Sequence, residues 1–130
     1  MKLSMILIYA ICVISVLFSE DSGNFSITRV QYRGGGDWYS DQSSVPNLLE
    51  FISNNTDIPI NLIEKKSKIG DDLFIESQYL YLTGHGNIKF SDEESIILRN
   101  HLLAGAFLHA DDNYGMDKSF RREMKKVFPE

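Results

Sequence analysis

The chain has 130 residues, a formal charge of −5 from 13 basic and 18 acidic side chains, and 43% hydrophobic residues. That length accommodates one domain, and the apolar fraction is that of a packed core, which excludes disordered, collagen-like and multi-domain classes. The acidic balance offers no electrostatic footprint for nucleic acid, so no such partner is expected.

Met1-Lys2 precedes Leu3–Phe18, an apolar run interrupted only by two serines, and Ser19-Glu20-Asp21-Ser22-Gly23 then turns polar. A short basic start, an apolar stretch and a polar exit describe a secretory signal. About 16 apolar residues fall short of the ~20 that span a bilayer comfortably. Residues 1–23 are therefore expected to be a signal peptide or a retained N-terminal anchor, and residues 24–130 an exported domain of the periplasm or cell envelope. Membrane contact is expected only through residues 3–18. Lipidation would need Cys12 behind a small residue, but Ile11 precedes it. With the leader removed no cysteine remains, which leaves no thiol nucleophile, Cys-ligated zinc or disulfide.

The first predicted strand is Phe25–Arg33, where Ile27, Val30 and Tyr32 alternate with polar residues until Gly34-Gly35-Gly36 ends the run. Ser43-Ser44-Val45-Pro46 marks a helix start, and the stripe Leu48, Leu49, Phe51 and Ile52 carries that helix to Asn54-Asn55. Ile58–Ile63 is expected as the second strand, with Pro59 at its beginning or on an edge. Lys65–Asp72 reads as a charged connector whose lysines are solvated. Tyr79–Thr83 contains no strongly polar residue and is expected to be a buried strand. Ser91-Asp92-Glu93-Glu94 begins a second helix, its acids complementing the dipole, which runs through Leu103 and breaks at Gly105. Ala106–Ala110 is a fourth strand, and Asp117 caps a last helix over Ser119–Val127. His101 is expected to be solvated near a helix end, and His109 packed in its strand. Such alternation predicts an α/β domain with a parallel sheet in the order 2-1-3-4, right-handed crossovers and helices on both faces. Four strands make a thin sheet, so the fold is expected to be incomplete at its C-terminus or completed by a partner.

In open parallel sheets ligands bind beyond the carboxyl ends of the strands. Three polar clusters are expected there: Arg33-Gly34-Gly35-Gly36-Asp37-Trp38-Tyr39, Thr83-Gly84-His85-Gly86-Asn87, and Asp111-Asp112-Asn113-Tyr114-Gly115. The glycine triplet matches neither the dinucleotide fingerprint nor the phosphate loop; it either offers amides to an oxyanion or turns a corner. Glycines flanking His85 leave its imidazole sterically open. With Asp111 and Asp112 one strand away, two chemistries are open: His85 and Asp111 holding a divalent metal, or one aspartate orienting His85 as a general base. The structural alternative makes Asp111-Asp112 a turn that caps the last helix. Trp38 and Tyr39 either stack on a sugar or peptide or anchor their loop to the core. The candidates are thus His85, Asp111 and Asp112 for catalysis and residues 33–39, Asn87 and Tyr114 for ligand binding.

Tyr32–Tyr39, Tyr81–Asn87 and Ala110–Asp117, continued by Ser119-Phe120-Arg121-Arg122-Glu123-Met124, resemble the bacterial family called domain of unknown function 4159. The resemblance spans Phe25–Glu130. That family is similar to the class I glutamine amidotransferase-like superfamily, which implies a flavodoxin-like three-layer sandwich with a mostly parallel sheet. Amidotransferases place a cysteine at a nucleophile elbow; here Gly84-His85-Gly86 lies at that place, so Cys-dependent glutaminase activity is not expected. Family members generally continue past the equivalent of Pro129, and His109 stands where an aliphatic residue is expected. Two functions remain: an exported domain binding a small ligand or an envelope protein at the C-terminal edge of its sheet, or a His/Asp-based, metal-assisted hydrolase. The third reading is a degenerate fragment without function.

Overall fold

The computed structural model describes residues 24–129; the expected signal peptide or anchor over residues 1–23 lies outside them. Among the described residues eight elements alternate: β1 (Ile27–Gln31), α1 (Ser44–Asn55), β2 (Lys65–Lys68), α2 (Asp72–Ile75), β3 (Tyr79–His85), α3 (Asp92–Leu103), β4 (Phe107–Tyr114) and α4 (Asp117–Val127). The strands form one sheet, ordered β2-β1-β3-β4, and every pairing is parallel. This is the α/β, three-layer arrangement and strand order expected from the alternation of elements. The connection from β1 to β2 runs outward in one direction, and those from β2 to β3 and β3 to β4 run in the other. Crossovers of one hand must then place their helices on opposite faces.

The core divides accordingly. One face packs Ile27 and Tyr81 against Val45 and Leu49 of α1. The other packs Val30, Leu80 and Leu82 against Phe74, Leu98 and Val127 of α2, α3 and α4. Because side chains alternate along a strand, β3 supplies both layers. Its Leu80 and Leu82 enter one, Tyr81 enters the other, and all three are buried.

Several boundaries differ from the sequence reading: β1 is shorter than Phe25–Arg33, β3 runs past Thr83 to His85, and the helix Asp72–Ile75 is additional. Ile58–Ile63 is not a strand; it contributes only an isolated bridge, Phe25 to Ile60. Pro59 has no N–H to give a ladder, and the Asn61 side chain accepts from the Ile63 amide in a local turn. The second strand is Lys65–Lys68, within the supposed connector. It is short and lies at the sheet edge, where Ser67 points inward and Lys66 and Lys68 outward; lysines suit an edge that must not recruit another strand. The fourth strand continues beyond Ala110 to Tyr114, so Asp111 and Asp112 lie inside it. His101 is not solvated but held, its Nε2 2.6 Å from the Ser77 carbonyl and its ring against Phe74.

Helix starts follow local chemistry. Ser91 and Glu94 form a reciprocal capping box at α3. At α4 the first amides, those of Met116 and Asp117, donate to Asp112 at 2.9 and 3.1 Å. The capping carboxylate is therefore Asp112 from the preceding strand, and Asp117 is the first helical residue.

Candidate functional site

Past the end of β1 the chain doubles against the segment that leaves β3. Lys89 N–H donates to the Arg33 carbonyl (2.7 Å) and Gly36 N–H to the Asn87 carbonyl (2.9 Å), with an antiparallel bridge between Arg33 and Lys89. The Asn87 side chain donates to the Gly34 carbonyl. This approach leaves no space for a side chain at Gly34: at φ +116°, a Cβ there would lie 2.7 Å from the Lys89 nitrogen. The glycine triplet and the His85–Asn87 segment thus form one laced unit at the carboxyl edge of the sheet.

The lacing places Asp37 beside His85. One carboxylate oxygen accepts the His85 backbone N–H, and the other lies 3.0 Å from Nδ1 of the ring. The pair is partly open to solvent, with the His85 side chain 54% and Asp37 31% exposed. The His85 backbone N–H is the main cause holding the Asp37 carboxyl below the ordinary carboxylate range; the imidazole adds to this against partial desolvation. Tyr32 lies beneath, its hydroxyl donating to the Thr83 carbonyl at 3.1 Å. Burial, and then the Asp37 charge, push that phenol up to about 12.

Two further groups brace the unit. Arg29, 1% exposed in the central β1 strand, ion-pairs with buried Glu64 and reaches the 38–41 loop. It donates to the carbonyls of Trp38 (3.4 Å), Ser40 (2.8 Å) and Asp41 (3.2 Å). From the other side, Ser119 of α4 bonds the Gly86 carbonyl and the Ile88 amide, while Arg122 bonds the Asn87 side chain and the Ile88 carbonyl. Glu123, also buried, accepts from the Phe90 amide, Arg122 and Lys126. Burial opposes its charge, but those three donors prevail and hold its carboxyl below the ordinary range.

The structure gives His85 a different carboxylate from the two considered in the sequence. In β4 successive side chains face opposite sides of the sheet. Asp111 shares its side with Tyr81, whose hydroxyl it accepts at 2.8 Å. Asp112 faces the other side and is spent on α4. Opposite His85 in the ladder stands Tyr114, 81% exposed, after a register shift at Gly84/His85. Asp111 is thus engaged by Tyr81 while Asp37 meets the His85 ring, and no group of three or more metal-ligating side chains converges among the described residues. The third cluster still reaches the edge, since the Asn113 amide donates to the Ser40 hydroxyl at 3.1 Å. Tyr39 is exposed and meets Trp38 edge to face. His109 is packed between Tyr79 and Tyr81, with Nδ1 3.0 Å from the Tyr79 hydroxyl.

Sequence reasoning placed Asp37 among ligand-binding residues without linking it to His85, 48 positions away. Arg29 went unremarked, although a cation inside an otherwise buried strand was the available signal. A carboxylate on Nδ1 fixes the ring and its tautomer and leaves Nε2 as the group to accept or donate a proton.

A family model described as "Domain of unknown function (DUF4159)" matches residues 26–130. No curated protein matches the chain.

Proposed function

The chain belongs to the DUF4159 family, and we propose that this exported domain binds a small polar ligand at the carboxyl edge of its sheet, with His85 as the group presented to it. The observation that carries the reading is the Asp37 carboxylate on Nδ1 of a half-exposed imidazole. A ring held in this way meets a ligand without first losing rotamer freedom. Arg33, Trp38, Tyr39 and Tyr114 stand around the same edge and supply a cation and aromatic faces. The glutamine amidotransferase-like relationship is part of this proposal and supports the edge as the place of binding, without a cysteine nucleophile.

The test is a screen of small carboxylates, phosphates and amides against the full chain, read by amide chemical-shift changes. Binders should move the resonances of residues 33–39 and 85–87 and lose their effect in His85→Ala. Binders that map to other surfaces, or that ignore His85→Ala, refute the reading.

One observation favours acid–base hydrolysis as a second reading. The Asp37–His85 arrangement is that of an oriented general base, which contributes about 10²–10⁴-fold where it operates. p-Nitrophenyl acetate serves as a generic ester probe. Turnover that falls by about that factor in both His85→Ala and Asp37→Asn supports hydrolysis, and equal rates in wild type and variants reject it.

A further inference from the structure

A concavity lies between the carboxyl ends of β1 and β2 and shares Arg33 and Trp38 with the glycine-loop edge. It has a volume of about 500 Å³, within the range of small-molecule sites, and Gln31, Arg33, Trp38, Lys68, Asp71 and Glu94 line it. We propose that this cleft binds a saccharide ring, independently of His85.

The lining argues for the class. Two cations stand against two carboxylates, so the walls have no formal net charge and favour neither an anion nor a cation. What they offer is a mixture of donors and acceptors beside an indole, the complement of a ring with an apolar face and a rim of hydroxyls. Trp38 is partly buried against the main core, which fixes the indole as a wall. Each sugar hydroxyl both donates and accepts, and both capacities are available here. The Arg33 guanidinium spends one N–H on Glu94 (2.8 Å) and remains largely exposed. Glu94 uses its second oxygen on the Ser91 amide, and Asp71 lends one oxygen to the Lys68 amide. Arg33 and Glu94, both in the lining, form an ion pair at 2.8 Å.

Trp38 is the one tryptophan of the chain and lines the cleft, so intrinsic fluorescence of the full-length protein reports binding there, and His85→Ala separates it from a ligand held at His85. N-acetylglucosamine, glucose and galacturonate serve as probes, with citrate and phosphate as non-carbohydrate anions. A saturable change in emission with at least one sugar is expected, with a dissociation constant in about the millimolar range. Lys68→Ala and Gln31→Ala should each weaken it about tenfold, and His85→Ala should leave it unchanged. A response to citrate or phosphate but to no sugar overturns the assigned class. No saturable response to any probe overturns the site. Sugar binding abolished by His85→Ala overturns the independence of the cleft. Sugar binding that persists while no ligand maps to His85 would reject the proposed function and leave the cleft standing.

Discussion

Replacing Gly84 by alanine puts a methyl carbon where the fold has already placed other atoms. A Cβ at this position would lie 2.2 Å from the Tyr32 hydroxyl, 2.9 Å from the Asp37 carbonyl oxygen and 3.0 Å from an Asp37 carboxylate oxygen. Ordinary contact between such atoms begins near ~3.5 Å. The backbone at Gly84 has φ +144°, so the side chain is also strained by its own peptide units. That strain costs about 1–2 kcal/mol. Displacing the buried Tyr32 hydroxyl from the Thr83 carbonyl costs about 1 kcal/mol more. The sum, about 2–3 kcal/mol, corresponds to a fall in Tm of roughly 10–20 °C for a domain of this size. Thermal and urea unfolding of the full chain measure it. A double variant, Gly84→Ala with Tyr32→Phe, removes the closest atom. It should recover part of the loss as a coupling energy of about 1 kcal/mol. The Asp37 contact remains in the double variant, so recovery should be incomplete. A single variant within about 0.5 kcal/mol of wild type, the range of neutral surface changes, would refute the reasoning.

Other substitutions test the bracing around the same edge. Asp37 has its carboxyl lowered in the folded state, so its stabilising contribution is complete above its unfolded value near ~4 and disappears as pH falls through the lower folded value. The Tm difference between wild type and Asp37→Asn should shrink across that acid window, and a difference constant through it contradicts the assignment. Arg29→Met leaves Glu64 buried without its main partner and should cost about 3–5 kcal/mol in urea unfolding, with Glu64→Leu restoring part of the loss. A double variant no more stable than Arg29→Met would show that the stranded charge is not the cause. Glu123→Ala removes the acceptor of the buried Phe90 amide and should cost about 1–3 kcal/mol by the same measurement. Asp112→Ala frees the first amides of α4 and should cost about 1 kcal/mol, visible as faster hydrogen exchange at Met116 and Asp117.

The layer order and strand order were legible because they depend on patterns local to each segment. Tyr79–Leu82 is apolar throughout and could only be an interior strand, and Ser91 with Glu94 announces α3. The misread strands were those in which local pattern yields to position. Lys65–Lys68 is a strand because β1 offers it an open edge, a fact that no window of four residues contains. Asp111 and Asp112 read as a loop because paired acids rarely occupy a strand. In this sheet each finds its own donor, the Tyr81 hydroxyl on one side and the α4 amides on the other. Strand order brings the glycine loop and the His85 segment to one edge, whereas Asp111 and Asp112 lie within β4 and Asn113 is the residue of that cluster that reaches the loop. Which carboxylate meets His85 was not legible. That depends on the glycine loop folding back on residues 85–89, an approach that Gly34 and Asn87, 53 positions apart, permit but that no local window contains.

The last helix has a task beyond filling its layer. Ser119 and Arg122 together occupy the Gly86 carbonyl, both polar backbone groups of Ile88 and the Asn87 side chain, whose amide in turn grips Gly34. The turn after the third strand is therefore buttoned to α4 by side chains, and through Asn87 that hold extends to the glycine loop. Partial undocking of α4 would strip the residue 86–88 turn of these partners while the four strands stayed zipped, so the histidine's surroundings are tied to the fit of that helix.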